Sequence, residues 1–341
     1  MYICQIVCSL LYENIYAIMK LCMREVFTYM DNIKNIIEVN ALTKNFKDIQ
    51  AVRGIDFHVQ KNNLFAFLGP NGAGKSTTID MLCTLSKPTS GQIKIDGYTI
   101  PKENAIIRKK VGVVFQNGIL DPLLTVRENL KIRASFYKMT SSELKEAVKQ
   151  AAKCARVEDF LDRKYGLLSG GQKRRADIAR ALVHTPEILF LDEPTTGLDP
   201  QTRKSIWDTV KTLQQQQDLT VFLTTHYMEE AASADYICII DEGLIVAQGS
   251  PSTLREKYSK DQLIIRPFNQ NALCEILKSN SISYIIKSDT ICISLKNTID
   301  ALPILELCRP FLDGFEVKSG SMDDAFIAIT GKELHDDNSI N

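Results

Sequence analysis

A chain of 341 residues is long enough for a large core and for two domains. Its 41 Lys+Arg balance 41 Asp+Glu, so no overall basic field exists to hold a polyanion, and nucleic acid is disfavoured as the main ligand. Nine scattered cysteines without a Cys-x-x-Cys pair fit reduced thiols better than a disulfide framework or a zinc site.

Residues 1–35 form an extension rich in Ile, Leu, Tyr and Cys, interrupted by Glu13, Lys20, Arg24 and Glu25. It lacks the layout of a signal peptide, and no apolar run in the chain approaches the roughly 18 residues of a spanning helix. It reads as a helical extension, or as translation assigned too early, with Met19, Met23 or Met30 as the start.

From residue 36 the pattern becomes regular. Residues 36–39 and 55–59 read as strands, and 64–68 is a continuous apolar run ending at a glycine-rich loop. Helical spacing follows over 77–85, then strands at 93–95 and 111–115, and a mostly helical stretch over 126–181. Short β-type runs at 188–191 and 220–223 flank a helix around Trp207, and 237–240 with 244–246 read as a hairpin. This alternation predicts an α/β fold with a largely parallel sheet and covering helices.

Gly249-Ser250-Pro251 closes the unit, and a charged stretch through Lys260 reads as a linker. Beyond it, strand, helix, two strands, helix and strand (263–265, 272–278, 284–286, 291–295, 299–308, 315–317) predict a small α+β domain of the split βαβ type. The division is thus 36–255, then 261–334, with a disordered polar tail over 335–341.

Gly69-Pro70-Asn71-Gly72-Ala73-Gly74-Lys75-Ser76, followed by Thr77 and Thr78, fits the phosphate-binding loop G-x-x-x-x-G-K-[ST] between a strand and a helix. Its amides and the helix N-terminus can converge on phosphate oxygens, Lys75 adds positive charge there, and the Ser76 hydroxyl can ligate Mg2+. The apolar run 188–191 ends in Asp192 and Glu193, where an α/β sheet opens to its ligand. Asp192 is suited to hold Mg2+, and Glu193 to orient and deprotonate an attacking water.

Between these motifs lies Leu168-Ser169-Gly170-Gly171-Gln172, and with it the chain resembles the ATP-binding subunit of an ABC transporter over about 36–251. The resemblance implies a P-loop NTPase domain over 36–255, a helical signature subdomain at about 117–181, and ATP with Mg2+ as ligands. It implies that Gln116 senses the metal and the attacking water, that Asp199, in Thr196-Gly197-Leu198-Asp199, lies in a loop crossing to the other subunit, and that His226 contacts the γ-phosphate. Phe46 stands where the family stacks an aromatic residue on adenine. Lys75, Gln116, Glu193 and His226 are thereby the implied catalytic set, and Ser76, Gln116 and Asp192 the implied metal ligands.

The wording of the phosphate loop, of Leu191-Asp192-Glu193-Pro194-Thr195-Thr196-Gly197-Leu198-Asp199-Pro200 and of Thr224-Thr225-His226-Tyr227-Met228-Glu229-Glu230-Ala231 is similar to daunorubicin-resistance-type exporter ATPases. A terminal motif like Ser321-Met322-Asp323-Asp324-Ala325-Phe326 belongs to the same resemblance, which implies an ABC-2 type exporter. In this family residues 168–172 close over ATP held by a second subunit, so the expected partners are a second copy of the chain and separate multi-spanning permease subunits, met through 117–129. The chain is then expected in the cytoplasm, at the inner face of the membrane. Cargo, whether drug, lipid, peptide or polysaccharide, stays open. So does an ATPase that signals at a membrane without moving a substrate.

Overall fold

The computed structural model describes residues 35–331, so the expectations for the extension before Asn35 and for the tail beyond 334 lie outside the described residues. The chain opens with β1 (Asn35–Phe46) and β2 (Ile49–Gln60), then β3 (Leu64–Leu68), α1 (Lys75–Leu82), β4 (Ser90–Ile95) and β5 (Tyr98–Ile100). Next come α2 (Asn104–Lys110), β6 (Val111–Val114), α3 (Val126–Ser135), α4 (Ser141–Cys154) and α5 (Gly170–Leu182). They lead to β7 (Ile188–Asp192), α6 (Pro200–Gln217), β8 (Thr220–Thr225), α7 (Met228–Ala231), β9 (Tyr236–Asp241) and β10 (Leu244–Gly249).

β2-β1-β4-β5 form a four-stranded antiparallel sheet, and β10-β9-β3-β8-β7-β6 a six-stranded one that is parallel apart from β10. The two-residue alternation of β3 decides what each face meets. Phe65 and Phe67 point with Phe190 and Phe222 towards Phe57 of the first sheet, and the Phe65 and Phe222 rings stack at 5.1 Å. Leu64, Ala66 and Leu68 point the other way, into a core shared with α3 to α6. Both faces are covered, which is why the run reads as continuous apolar sequence. β5 has only three residues and follows a tight Asp96-Gly97 turn, too short a run to be legible in sequence.

The helices start where side chains can satisfy their first amides. Thr125, Thr140 and Ser169 each make a capping box, with Glu128, Glu143 and Gln172 respectively, each stabilising its helix by about 1 kcal/mol.

The charged stretch read as a linker is instead a helix, α8 (Pro251–Tyr258), capped by Ser250 and starting on Pro251, with Leu254 in the core. The remaining elements are β11 (Asp261–Pro267), α9 (Gln270–Ser279), β12 (Ile285–Lys287), β13 (Thr290–Leu295), α10 (Ala301–Cys308), β14 (Leu312–Lys318) and α11 (Met322–Thr330). Strand order β12-β13-β11-β14, antiparallel throughout, is the split βαβ arrangement, with its own core around Leu263, Ile265, Leu273 and Ile293. α11 does not join that core. Met322 and Phe326 are buried with Leu254, Met228, Ala231 and Ala234, among the residues of the six-stranded unit.

Candidate active site

The glycine-rich loop leaves the carboxyl end of β3 and turns into α1 at Gly74. That residue has φ of 106°, and a Cβ there would lie 2.5 Å from the Ala51 carbonyl, so only glycine fits. α1 begins with no side-chain cap, leaving its first amides directed at the loop's concavity. This cavity of about 320 Å³ is lined by Gly72, Lys75, Ser76, Gln116, Glu193 and His226, among others.

Lys75 is buried, and its Nζ donates to the carbonyls of Gly69 (2.8 Å) and Pro70 (3.1 Å) and pairs with Glu193 Oε1 at 3.3 Å. Burial pushes the ammonium below its usual range, and Glu193 offsets this only in part. Asp192 Oδ1 accepts from Thr224 Oγ1 (2.6 Å) and Ser76 Oγ (3.3 Å), which joins the end of β7 to β8 and to α1. Burial raises the Asp192 carboxyl, and the Glu193 charge beside it adds to the rise.

Glu193 has φ of 46°, an unfavourable left-handed conformation for a residue with a Cβ. Its amide is held by the Thr224 carbonyl (3.2 Å) and Thr224 Oγ1 (3.1 Å), which keeps the carboxylate aimed into the cavity. Gln116 Nε2 (3.3 Å) and Thr196 Oγ1 (3.2 Å) donate to Oε2. Burial alone would raise the Glu193 carboxyl, but the contact with His226 and the charge of Lys75 outweigh it and hold it at about 2. His226 Nδ1 lies 3.4 Å from Glu193 Oε2, in contact with the carboxylate. Both His226 ring nitrogens are buried without a hydrogen-bond partner beside the cavity, an arrangement that calls for a further polar group there.

The fold therefore brings Asn71, Gly72, Gly74, Lys75, Ser76, Thr77, Gln116, Glu193 and His226 around one cavity, with Asp192 joined to it through Ser76. Gly69, Pro70 and Ala73 build the loop behind it, and Thr78 the first turn of α1. Ala73 is buried, and Thr78 Oγ1 donates to the Gly74 carbonyl. Phe46 is not among the lining residues. It sits half exposed at the end of β1 with the Lys44 ammonium 4.7 Å above its ring. Leu168, Ser169, Gly170, Gly171 and Gln172 lie elsewhere, at the start of α5, where Ser169 and Gln172 cap the helix. Asp199 caps α6, and a Cβ on Gly171 would meet the Thr202 side chain at 2.3 Å, so the starts of α5 and α6 adjoin.

Three polar residues escape a reading by motif. Thr196 and Glu230 lie in the stretches 191–200 and 224–231, whose wording gives neither a role of its own. Glu230 is buried and accepts from Thr225 Oγ1 (2.5 Å) and from Thr195, bridging the segments that carry His226 and Glu193. Arg174, in the first turns of α5, bonds backbone around Gln116 and Glu193.

Among the described residues no group of three His, Cys, Asp or Glu side chains could hold a metal ion. Mg2+ suits the site in another way. It takes few protein oxygens and completes its shell with water and phosphate, and Ser76 Oγ with Asp192 Oδ1 supply such oxygens at the cavity.

A phosphate-type loop, an acid pair at the end of a buried parallel strand and a histidine on the next strand's end define a nucleoside triphosphate hydrolase of α/β type. A family model described as "ABC transporter" matches residues 52–196. The chain is 36% identical over 316 residues to "Nod factor export ATP-binding protein I" of Paraburkholderia xenovorans (strain LB400), covering 88% of this chain and 98% of that protein. Among solved structures, the ATP-binding cassette MJ0796, as a dimer in a post-hydrolysis state bound to ADP and Pi, matches with TM-score 0.58 and 31% identity over 63% of this chain and 98% of that one. The cbiO1 protein from Clostridium perfringens, part of the ABC transporter complex cbiONQ, matches with TM-score 0.62 and 29% identity over 72% and 95%. The chain belongs to the ABC transporter family, as an ATP-binding subunit, and its activity is that of an ATPase.

Proposed function

We propose that the chain drives an ABC-2 type exporter, working as a homodimer that binds two ATP molecules with Mg2+ and hydrolyses them at sites shared between the two copies. The observation that carries this reading is the convergence on one cavity of Lys75, Gln116, Glu193 and His226, whose ring nitrogens are buried there without a hydrogen-bond partner. Phosphate oxygens compete with Glu193 for Lys75, and turning the ammonium towards them frees Glu193 Oε1. Gln116 and Thr196 hold Oε2, so the freed oxygen can accept the proton of the attacking water. Ser76 and Asp192, with Gln116 at the same cavity, would hold Mg2+, which would supply positive charge for the phosphates. His226 fits the γ-phosphate, and the exposed Phe46 ring offers a face to adenine.

Ser169, Gly170 and Gly171 present a hydroxyl and amides at the start of α5, away from the chain's own cavity. Two-fold pairing lets this anion site close over nucleotide held by the other copy, with Asp199 beside it at the interface. The neighbouring dimeric cassette supports the pairing.

The path for cargo belongs to separate permease subunits, as in the cbiONQ complex of which the similar cbiO1 protein is part; no helix among the described residues is long and apolar enough to cross a membrane. A groove of about 640 Å³ lies next to the Gln116 loop, lined by Ile119, Arg133, Phe136, Tyr137, Arg180 and His184 among others. Together with residues 117–129 it receives a permease segment at the inner face of the membrane. Export, rather than import, is supported by the relatives named for Nod factor export, and a drug or lipid-like cargo suits the resemblance.

Glu193→Gln tests the reading. The variant should bind ATP, elute as a dimer with ATP and lose hydrolysis by about 10²–10⁴-fold, the usual contribution of a general base. Wild-type turnover by this variant would remove Glu193 from the mechanism.

A further inference from the structure

β6 is the edge strand of the six-stranded sheet, and among the described residues no strand pairs with its outer side. Side chains from α5 and the turn after it approach that edge instead. His184 Nε2 bonds the Val111 carbonyl at 3.0 Å, Arg180 donates to the Val113 carbonyl, and Arg174 Nη1 donates to the Phe115 carbonyl at 2.5 Å. The acceptors are alternate residues, as they must be to lie on one edge of a strand. A Cβ on Gly112 would stand 2.5 Å from the Ala181 carbonyl, so the helix packs on the strand more closely than a side chain there would permit.

The last rung continues past the strand. Arg174 Nη2 donates to the Gln116 carbonyl at 2.9 Å and reaches the Glu193 carbonyl at 3.5 Å. The guanidinium is buried, and one planar fork spans two backbone segments that a lysine, a point donor, cannot hold together. From the far side, Asp177 of the same helix takes the Tyr165 hydroxyl at 3.1 Å, and a Cβ on Gly118 would stand 2.1 Å from that hydroxyl.

We propose that Arg174 is a positioning residue for hydrolysis: it fixes the backbone of Gln116 and Glu193 against the helix that begins with Ser169-Gly170-Gly171. The proposal rests on the reading of Gln116 and Glu193 as hydrolytic residues. A side chain displaced by about 1 Å from its working geometry can cost up to about 10²-fold in rate, while nucleotide binding, carried by the phosphate loop, is untouched.

The experiment is MgATP hydrolysis by the full chain carrying Arg174→Met or Arg174→Lys, with nucleotide affinity and thermal midpoint measured alongside, and Arg175→Met as the control. Both Arg174 variants should lose at least about tenfold in kcat while KM for ATP and the measured affinity stay within about twofold, and Arg175→Met should match wild type. Wild-type kcat in Arg174→Met, or a fall in kcat matched by equal losses of affinity and midpoint in both Arg174 variants, overturns the proposal. If Arg174→Met does not fold, Arg174→Lys alone decides between these outcomes. Glu193→Gln separates the two levels: its full activity would remove the underlying reading, whereas an inactive Glu193→Gln beside a fully active Arg174→Met removes only the role of Arg174.

Discussion

Lys75 Nζ lies 3.3 Å from Glu193 Oε1, both side chains being buried. The pair joins the phosphate loop to the end of β7 across the cavity, and it sets the two residues against the same incoming ligand. Lys75→Met removes the charge that phosphate oxygens need and leaves the Glu193 carboxylate facing them. ATP affinity should fall by at least about tenfold, since a charge-assisted contact of this kind contributes about 1.5–3 kcal/mol. Titration with a fluorescent ATP analogue checks this.

His184 gives the chain an acid sensitivity outside the site. Burial, with Arg133 and Arg180 nearby, lowers its imidazole from the usual 6.5 to about 4, although its bond to the Val111 carbonyl opposes the shift. Tyr137 stacks on the ring at 4.3 Å. Between these two values the unfolded chain binds the proton that the folded chain refuses. Stability is therefore complete above about pH 6.5 and declines as pH falls towards 4, by about 2 kcal/mol from this residue between pH 7 and 5. Urea unfolding at the two pH values should show the loss in wild type and a smaller one in His184→Gln.

Much of the fold and of the site is legible in the sequence, for definite reasons. The run 64–68 reads as a buried strand because both of its faces are covered, and the loop after it needs its glycines for close backbone approach. Asp192, Glu193 and His226 follow apolar runs, and parallel pairing puts the carboxyl ends of those strands beside that of β3, near Lys75. Other features leave no local trace. Arg174 acts through carbonyls far along the chain, and a carbonyl has no sequence identity. α8 was hidden because a charged surface helix and a charged linker share a composition, although Ser250 and Pro251 carried the cap signal. The place of α11 depends on what Phe326 meets, which no pattern within 321–331 specifies.

Phe326 is fully buried among Met228, Ala231, Ala234 and Leu254. Truncating it leaves a cavity in the layer behind α7, the helix that follows His226. Phe326→Ala should destabilise the chain by about 3–5 kcal/mol, read as a lower denaturation midpoint. An unchanged midpoint would place α11 outside this core.

The central claim is that each hydrolytic site is built from two copies of the chain. The most direct measurement mixes Ser169→Arg subunits with Glu193→Gln subunits and assays MgATP hydrolysis by the mixed dimer. Each variant alone should be inactive. In the mixed dimer one site combines an intact Glu193 with the other copy's intact Ser169, and the second site carries both defects. The account predicts a return to roughly half the wild-type rate per dimer, as two-fold pairing requires. No return of activity in mixed dimers shown to form would mean that residues 168–172 serve the site of their own chain, and the shared-site account would fall.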